Sequence, residues 1–370
     1  MEKVTINYTE LTGTNYEIGY QLGIKISQIP ALLKTQINST DPFTKQQVLD
    51  MISTFDTWCP GLNDELQGYS DALNIPKEEL IYCYMTYLVP NCSQLAILPS
   101  LSNDEHTYLA RNVDFSHQFD DFTLCKTNVI GKYSHIGSSI VQLGRSDGIN
   151  EYGLAISQTS CGLPVGKGVP GLQEPKIVGL QYWAVIRSLL ENCKNVDEAL
   201  ETLKQMPIAY NLNLLLADSL DTVILFECID GNKAYQRIDK DTAKQYLHST
   251  NHPVLPELDI PFAMRNSIIR YQTIDNYIKE NTLLSKEDLQ TLLLNKYPDG
   301  LCCHWYPQFF GTTKSIVFDV TKKEVSICWG GLQENTWRTF NFETNFIDKQ
   351  EIININIDIP IGNAFEVIKK

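Results

Sequence analysis

Cys92 is the residue whose type and setting could do chemistry: a thiol of ordinary pKa ~8.5 is partly thiolate near neutrality, and the thiolate is the nucleophile. It follows Asn91 and precedes Ser93, and Arg111 and Asp114 come within the next apolar run. Taken bare, these residues have plainer readings. A cysteine at the start of a strand is most often a small buried hydrophobe. An Arg and an Asp three apart on a strand point to opposite faces and usually make unrelated contacts. A thiol could also pair with an imidazole, and the chain offers His106, His117, His135, His248, His252 and His304. His252 is the tempting base, but nothing around Cys92 matches a cysteine-histidine protease signature, so His252 reads as a structural partner of a strand end. Cys302-Cys303-His304 is the densest thiol and imidazole cluster. Adjacent cysteines lack the spacing of a closed zinc site, so a partly buried strand or turn is the better reading, and no metal or cofactor is expected.

The elements that must position Cys92 change character at that residue. Up to residue 90 the pattern reads as helices. Thr14 to Glu17 has the form of a capping box, and Ile18, Leu22, Ile26 and Ile29 follow at helical spacing. Pro60 precedes Leu62, Leu66, Tyr69 and Leu73, and Pro76 precedes Leu80, Ile81 and Tyr84, both as prolines that start helices. From Cys92 onward short apolar runs separated by turn residues predict strands at Leu95 to Leu98, Thr107 to Val113 and Ile136 to Leu143, with a turn at Ser102-Asn103-Asp104. Helices are expected around Leu180 to Leu190 and from Val196 to Leu203, the latter capped by Asn195. Strands follow at Leu212 to Ala217, Val223 to Cys228 and Tyr246 to Ser249, then helices at Met264 to Tyr277 and Lys286 to Leu294. The last strands are Ser315 to Val320, Val325 to Trp329 and an alternating tail through Ile353, Ile355, Ile357 and Ile359. Strand and helix groups in this order suggest antiparallel sheets covered by helical layers rather than a parallel βαβ sheet.

Composition agrees with a folded enzyme-sized chain and excludes some partners. Hydrophobic residues make up 43% of the 370 and charged ones 20%, a globular balance. The formal net charge of -14 argues against binding a polyanion, so no nucleic-acid partner is expected. No apolar run of about 18 residues is present and Met1 to Ile6 has no apolar leader core, which predicts a soluble, cytoplasmic protein with no membrane partner. The ten cysteines are scattered, without a Cys-x-x-Cys pair, as in a reducing compartment.

One set of motifs, in one order, brings these pieces together. Cys92 is followed by Arg111-Asn112-Val113-Asp114, Gly148-Ile149-Asn150-Glu151-Tyr152-Gly153-Leu154, Glu227, Thr250-Asn251-His252-Pro253 and Ser267-Ile268-Ile269-Arg270. This order resembles the acyl-CoA:6-aminopenicillanate acyltransferase family, whose cousins are the choloylglycine hydrolases, bile salt hydrolase and penicillin V acylase among them. Gly13-Thr14-Asn15-Tyr16-Glu17-Ile18-Gly19 and Gly311-Thr312-Thr313-Lys314-Ser315 extend the resemblance over most of the chain.

The resemblance implies an α+β fold, a four-layer αββα sandwich of antiparallel sheets, and an N-terminal-nucleophile (Ntn) enzyme. Its peptide bond between Asn91 and Cys92 would break, leaving residues 1–91 as a helical leading fragment and 92–370 as one integrated catalytic domain. The freed α-amine of Cys92, of ordinary pKa ~8, would be the general base, so no histidine is needed. Arg111 and Asp114 match the family's pair beside the nucleophile: arginine favours thiolate, and a carboxylate can hold the amine. Asn251 matches the oxyanion-hole asparagine, and Arg270 an arginine of the same pocket. Relatives carry a further asparagine where this chain has Thr159 and Ser160. The expected reaction is hydrolysis of a linear amide, or transfer of its acyl group to an amine, through an acyl-cysteine. Expected partners are a small amide or acyl thioester and the chain's own two fragments, and a homo-oligomer is compatible with the same reading. The alternatives are a non-enzymatic small-molecule-binding protein on this scaffold and a Cys-His thiol hydrolase. The Gly- and Pro-containing stretch from Ser160 to Pro175 is a candidate pocket loop.

Overall fold

The computed structural model describes residues 1–29, 33–34, 44–80, 91–140, 143–162, 176–346 and 349–370. The chain opens with a strand, β1 (Glu2–Gly13), and continues through helices α1 (Asn15–Ser27), α2 (Lys45–Trp58) and α3 (Leu62–Leu73). The Thr14 and Glu17 capping box is formed, with the Thr14 amide donating to the Glu17 carboxylate at 2.8 Å. After β2 (Asn91–Ile97) and β3 (Tyr108–Phe115) come β4 (Thr123–Val129), β5 (His135–Ser139), β6 (Asp147–Asn150) and β7 (Ala155–Ser160). Helices α4 (Tyr182–Asn192) and α5 (Val196–Gln205) lead to β8 (Leu212–Ala217), β9 (Val223–Ile229), β10 (Asn232–Ile238) and β11 (Tyr246–Ser249). The short β12 (Phe262–Met264), then α6 (Arg265–Glu280) and α7 (Lys286–Leu294), precede β13 (His304–Trp305), β14 (Phe310–Asp319), β15 (Glu324–Trp329), β16 (Arg338–Phe340), β17 (Lys349–Ile355) and β18 (Val367–Lys369).

Two large sheets result. The first runs β10-β9-β8-β7-β6-β5-β4-β1-β17, antiparallel except for the β1 to β4 pair; the second runs β11-β2-β3-β14-β15-β16, with β13 on β14. Three apolar layers bind the architecture. Leu214, Leu216, Ile224 and Phe226 pack against α2 to α5 through Phe55, Tyr69, Leu189 and Leu203. The next residue on the same strand, Leu215, faces the other way, and with Ile6, Leu124 and Ile149 it meets Ala96, Leu109, Phe318 and Ile327 of the second sheet. The second sheet's far face, through Leu95, Ile97, Ala110 and Val317, packs on Ile274, Ile278, Leu289, Leu292 and Leu293 of α6 and α7. The fold is therefore an α+β sandwich of four layers, helix, sheet, sheet, helix. Strands covered on both faces read as unbroken apolar runs, which is why Leu212 to Ala217 was recognisable. Among the described residues no helix is long and apolar enough to cross a membrane.

The helical reading of the leading segment needs correction at its start. Val4, Ile6 and Tyr8 alternate with Lys3, Thr5 and Asn7, and this period of two makes β1, paired with β4 on one side and β17 on the other. Residues 1–91 thus supply a strand of the first sheet as well as helices of its cover, so residues 92–370 do not complete the sandwich by themselves. Pro76 starts only a 3-10 turn, Lys77–Glu79; Ile81, Tyr84 and Pro90 lie outside the described residues, as does most of the loop from Ser160 to Pro175. The expected strand from Ile136 to Leu143 is shorter, ending at Ser139, and positions 141–142 are outside the described residues. In the tail, Ile353 and Ile355 are buried on β17, whereas Ile357 and Ile359 lie beyond the strand and are exposed.

Candidate active site

β2 and β3 pair antiparallel at the middle of the second sheet, with Asn91 opposite Asp114, Cys92 opposite Val113 and Gln94 opposite Arg111. Opposed residues of an antiparallel pair share a face. Cys92 and Arg111 therefore look into the space between the sheets, and Asp114 looks toward α6. The peptide bond between Asn91 and Cys92 lies where both sets of side chains can reach it.

On the inner face, Arg111 Nη2 donates to Cys92 Sγ at 3.0 Å. Its other terminal nitrogen is fixed by the opposite sheet: Nη1 donates to Ser146 O at 2.6 Å and to Asp147 Oδ2 at 3.1 Å. Asp147 is itself tied down, accepting from the Ser138 amide at 2.9 Å and the Ser138 hydroxyl at 2.8 Å. Arg111 and Asp147 are both fully buried. A buried ion pair is sustained only with further hydrogen bonds, which Ser146 and Ser138 supply here, while Arg111 Nε has no hydrogen-bond partner among the described residues. Burial pushes the Cys92 thiol up, with Arg111 opposing. The thiol is therefore predominantly protonated near neutrality and needs a base.

On the outer face, Asp114 Oδ1 accepts from the Thr312 hydroxyl at 2.6 Å, while Oδ2 has no hydrogen-bond partner among the described residues. Arg270 Nη1 lies 3.7 Å from Oδ2 and donates to the carbonyl oxygen of Cys92 at 2.7 Å. Burial raises the Asp114 carboxyl to about 6, against the lowering effects of Arg270, Thr312 and Arg111. The other nitrogen of Arg270, Nη2, donates to Asn251 Oδ1 at 2.7 Å and Asn266 Oδ1 at 2.9 Å. That fixes the orientation of the Asn251 amide, whose Nδ2 donates to the carbonyl and hydroxyl oxygens of Ser160, each at 3.1 Å.

The structure therefore gathers Cys92, Arg111, Asp114, Asn251 and Arg270 around one strand start. Ser160, where relatives are expected to carry a polar amide nearby, touches Asn251, whereas Thr159 is spent on structure, its hydroxyl donating to Thr250 O at 2.5 Å. Asp147, Ser138 and Thr312 were not singled out from the sequence as parts of the site. Asp147 carried no signal, because its partner lies on another sheet; Thr312 lay within a quoted motif with no assigned task.

His252 lies apart from the thiol chemistry. Its Nδ1 is within 2.7 Å of Ser267 Oγ, burial lowers its pKa to about 3, and no histidine hydrogen-bonds to Cys92 among the described residues. Cys302 and Cys303 are buried, and Cys302 Sγ donates to Gly331 O at 3.3 Å. Elsewhere Asp104, His106 and Asp319 come within 4.8 Å of one another. Their atoms already satisfy one another and their neighbours: His106 Nδ1 to Asp319 Oδ2 at 2.9 Å, and the Tyr108 hydroxyl to Asp104 Oδ2 at 2.7 Å.

Residues 101–334 match the family model described as acyl-coenzyme A:6-aminopenicillanic acid acyl-transferase. The matched range takes in Arg111, Asp114, Asn251 and Arg270 and begins after Cys92. No curated protein matches the chain significantly. Among solved structures, penicillin V acylase from Agrobacterium tumefaciens is similar at 17% identity, over 64% of this chain and 83% of that one, with a TM-score of 0.40. A variant of conjugated bile acid hydrolase from Clostridium perfringens is similar at 13% identity, over 73% and 99%, with a TM-score of 0.44. The Caenorhabditis elegans ortholog of N-acylethanolamine-hydrolyzing acid amidase is similar at 12%, over 62% and 93%, with a TM-score of 0.42.

Proposed function

Because the chain belongs to the acyl-coenzyme A:6-aminopenicillanic acid acyl-transferase family, we propose that it is a self-processed cysteine Ntn enzyme that takes an acyl group from a small amide or thioester onto Cys92 and passes it to water or an amine. The observation that carries this reading is Asp114 Oδ2, buried and without a hydrogen-bond donor among the described residues, with Arg270 Nη1 no nearer than 3.7 Å, on the strand opposite the bond between Asn91 and Cys92. A buried carboxylate oxygen without a donor is costly. An N–H of the free α-amine of Cys92, present only after the bond is cut, would satisfy it while the nitrogen lone pair stays available as the base.

In the first event Cys92 Sγ adds to the Asn91 carbonyl carbon and the C–N bond breaks, leaving a thioester and the Cys92 amine. Water then hydrolyses the thioester to the Asn91 carboxylate and the free thiol. In each later turnover the amine takes the thiol proton as Sγ attacks the substrate carbonyl, and gives it to the leaving amine or thiol. In this reading Arg111 supports the developing thiolate, and an amide N–H of Asn251, released from Ser160, serves the oxyanion. Water or an amine then attacks the acyl-cysteine by the reverse proton path.

Intact mass and N-terminal sequencing test the first event. The wild-type protein is expected as two associated fragments, the larger beginning at Cys92, and Cys92→Ala as one uncut chain. The wild type should release a burst of p-nitrophenolate from p-nitrophenyl acetate with one acetyl group added at Cys92, and Cys92→Ala none. Full activity with the Asn91 to Cys92 bond intact would refute the amine mechanism. A panel of N-acyl amines, penicillin V, glycine-conjugated bile acids and acyl-CoA donors then finds the substrate.

A further inference from the structure

The acyl-cysteine scheme gives no task to the run Gly311-Thr312-Thr313-Lys314-Ser315. β14 departs from regular pairing within it. Thr312 lies opposite Asp114 and Lys314 opposite Val113, so Thr313 is an extra residue and the strand bulges. A bulge re-aims the side chains beside it, and here three consecutive side chains all find buried polar partners. The Thr312 hydroxyl donates to Asp114 Oδ1 at 2.6 Å, the Thr313 hydroxyl donates to Asp120 Oδ2 at 2.6 Å, and Lys314 Nζ pairs with Asp120 Oδ1 at 2.9 Å. Thr312 Oγ1 also accepts from the Cys303 amide at 3.0 Å. A hydroxyl has one proton. The Cys303 amide can only donate to the hydroxyl oxygen, so the proton of Thr312 is free to go to Asp114.

We propose that Thr312 is a positioning residue for Asp114: it anchors the carboxylate through Oδ1 so that Oδ2 is left facing the α-amine of Cys92. This rests on the reading of Cys92 and Asp114 given above. Thr312 has no contact with the Cys92 thiol; its hydroxyl also neighbours the buried Cys302 thiol, and in this scheme it acts on the reaction through Asp114.

The groups facing Asp114 are Arg270 from α6, Arg111 from its own strand, Cys92 from β2, Cys302 and Cys303 from the segment before β13, and Tyr306 after it. Among them the Thr312 hydroxyl is a neutral donor that favours the carboxylate. Removing it without changing side-chain shape disfavours the ionised form, so more alkaline conditions are needed to ionise Asp114. Activity that requires the carboxylate should then begin at higher pH.

The test follows the burst rate of p-nitrophenolate release from p-nitrophenyl acetate against pH. On the acid side the wild type should lose activity in two steps, first as the α-amine takes up a proton and then, at lower pH, as Asp114 does, the second step being the limb to follow. In Thr312→Val that limb should move up by about one pH unit, and in Thr312→Ser it should return to the wild-type position. A purely structural role would lower activity at all pH values without moving the limb. Should Thr312→Val fail to fold, Thr312→Ala carries the same expectation. An acid limb that stays in place in Thr312→Val or Thr312→Ala overturns the proposal, as does a Thr312→Ser limb that moves with them. Asp114→Asn separates the two levels: if it keeps wild-type bursts, the reading of the site itself falls, whereas a dead Asp114→Asn with an unmoved Thr312→Val limb sinks only the role of Thr312.

Discussion

Asn251 is oriented by its oxygen. Because Arg270 holds Oδ1, the amide nitrogen has to face Ser160, and serving a substrate oxygen requires only that one of its two N–H groups leave the Ser160 hydroxyl or carbonyl. Asn251→Ala should therefore lower kcat by ~10²–10³ with a smaller effect on KM, since such donors matter mainly in the transition state. Asn251→Asp is the sharper case. The new carboxylate would pair well with Arg270, so processed and folded protein is expected, yet an acceptor would stand where a donor is required. Steady-state kinetics on the processed variant decide it: near wild-type kcat would shift the oxyanion role to Ser160 or to backbone amides. Of the residues at this site, Cys92, Arg111, Asp114, Asn251 and Arg270 were legible because they stand in short runs whose order is itself a pattern. Asp147 was not, since a lone aspartate gains meaning only when another sheet brings Arg111 to it.

At the scale of elements, the early run ending in Gly19 has a packing reason. α1 and α3 cross so closely that a Cβ on Gly19 would stand 1.8 Å from Glu65 O, and one on Gly68 2.0 Å from Tyr16 O. Backbone cannot give way as a flexible side chain can. Gly68→Ala should cost at least about 1–3 kcal/mol through overpacking, and a thermal melt of the variant should fall by several degrees; an unchanged melt would mean that the two helices do not approach this closely. The helices were readable from spacing and caps, as at Thr14, and the central strands from their apolar runs. β1 was not separated from them, because its alternation over Val4, Ile6 and Tyr8 is short and runs directly into the helical spacing that starts at Ile18.

At the scale of the molecule, two sheets packed face to face hold Cys92 and Arg111 in the space between them, and Arg111 is braced by Asp147 and Ser146 across that space. The proposed cut at Asn91 would leave this bracing untouched. β1 stays hydrogen-bonded to β4 and β17, both of the larger fragment, along registers that run from Glu2 to Gly13. An interior strand cannot leave without breaking ladders on both sides and exposing Ile6 and Leu11, which are fully buried. Position in the sheet also sets the molecularity of folding. Before the cut, β1 reaches its slot by an intramolecular search; after it, the slot can be refilled only by collision of two separate chains. Unfolded Cys92→Ala protein should regain structure with a half-time independent of concentration, and unfolded processed protein should recover more slowly as it is diluted. Refolding followed by tryptophan fluorescence over a hundredfold range of concentration will show the difference, and equal half-times throughout would contradict it. Self-cleavage on such a framework would turn a first-order assembly into a second-order one, so that the fold formed while the chain is whole is held afterwards by the barrier to losing β1.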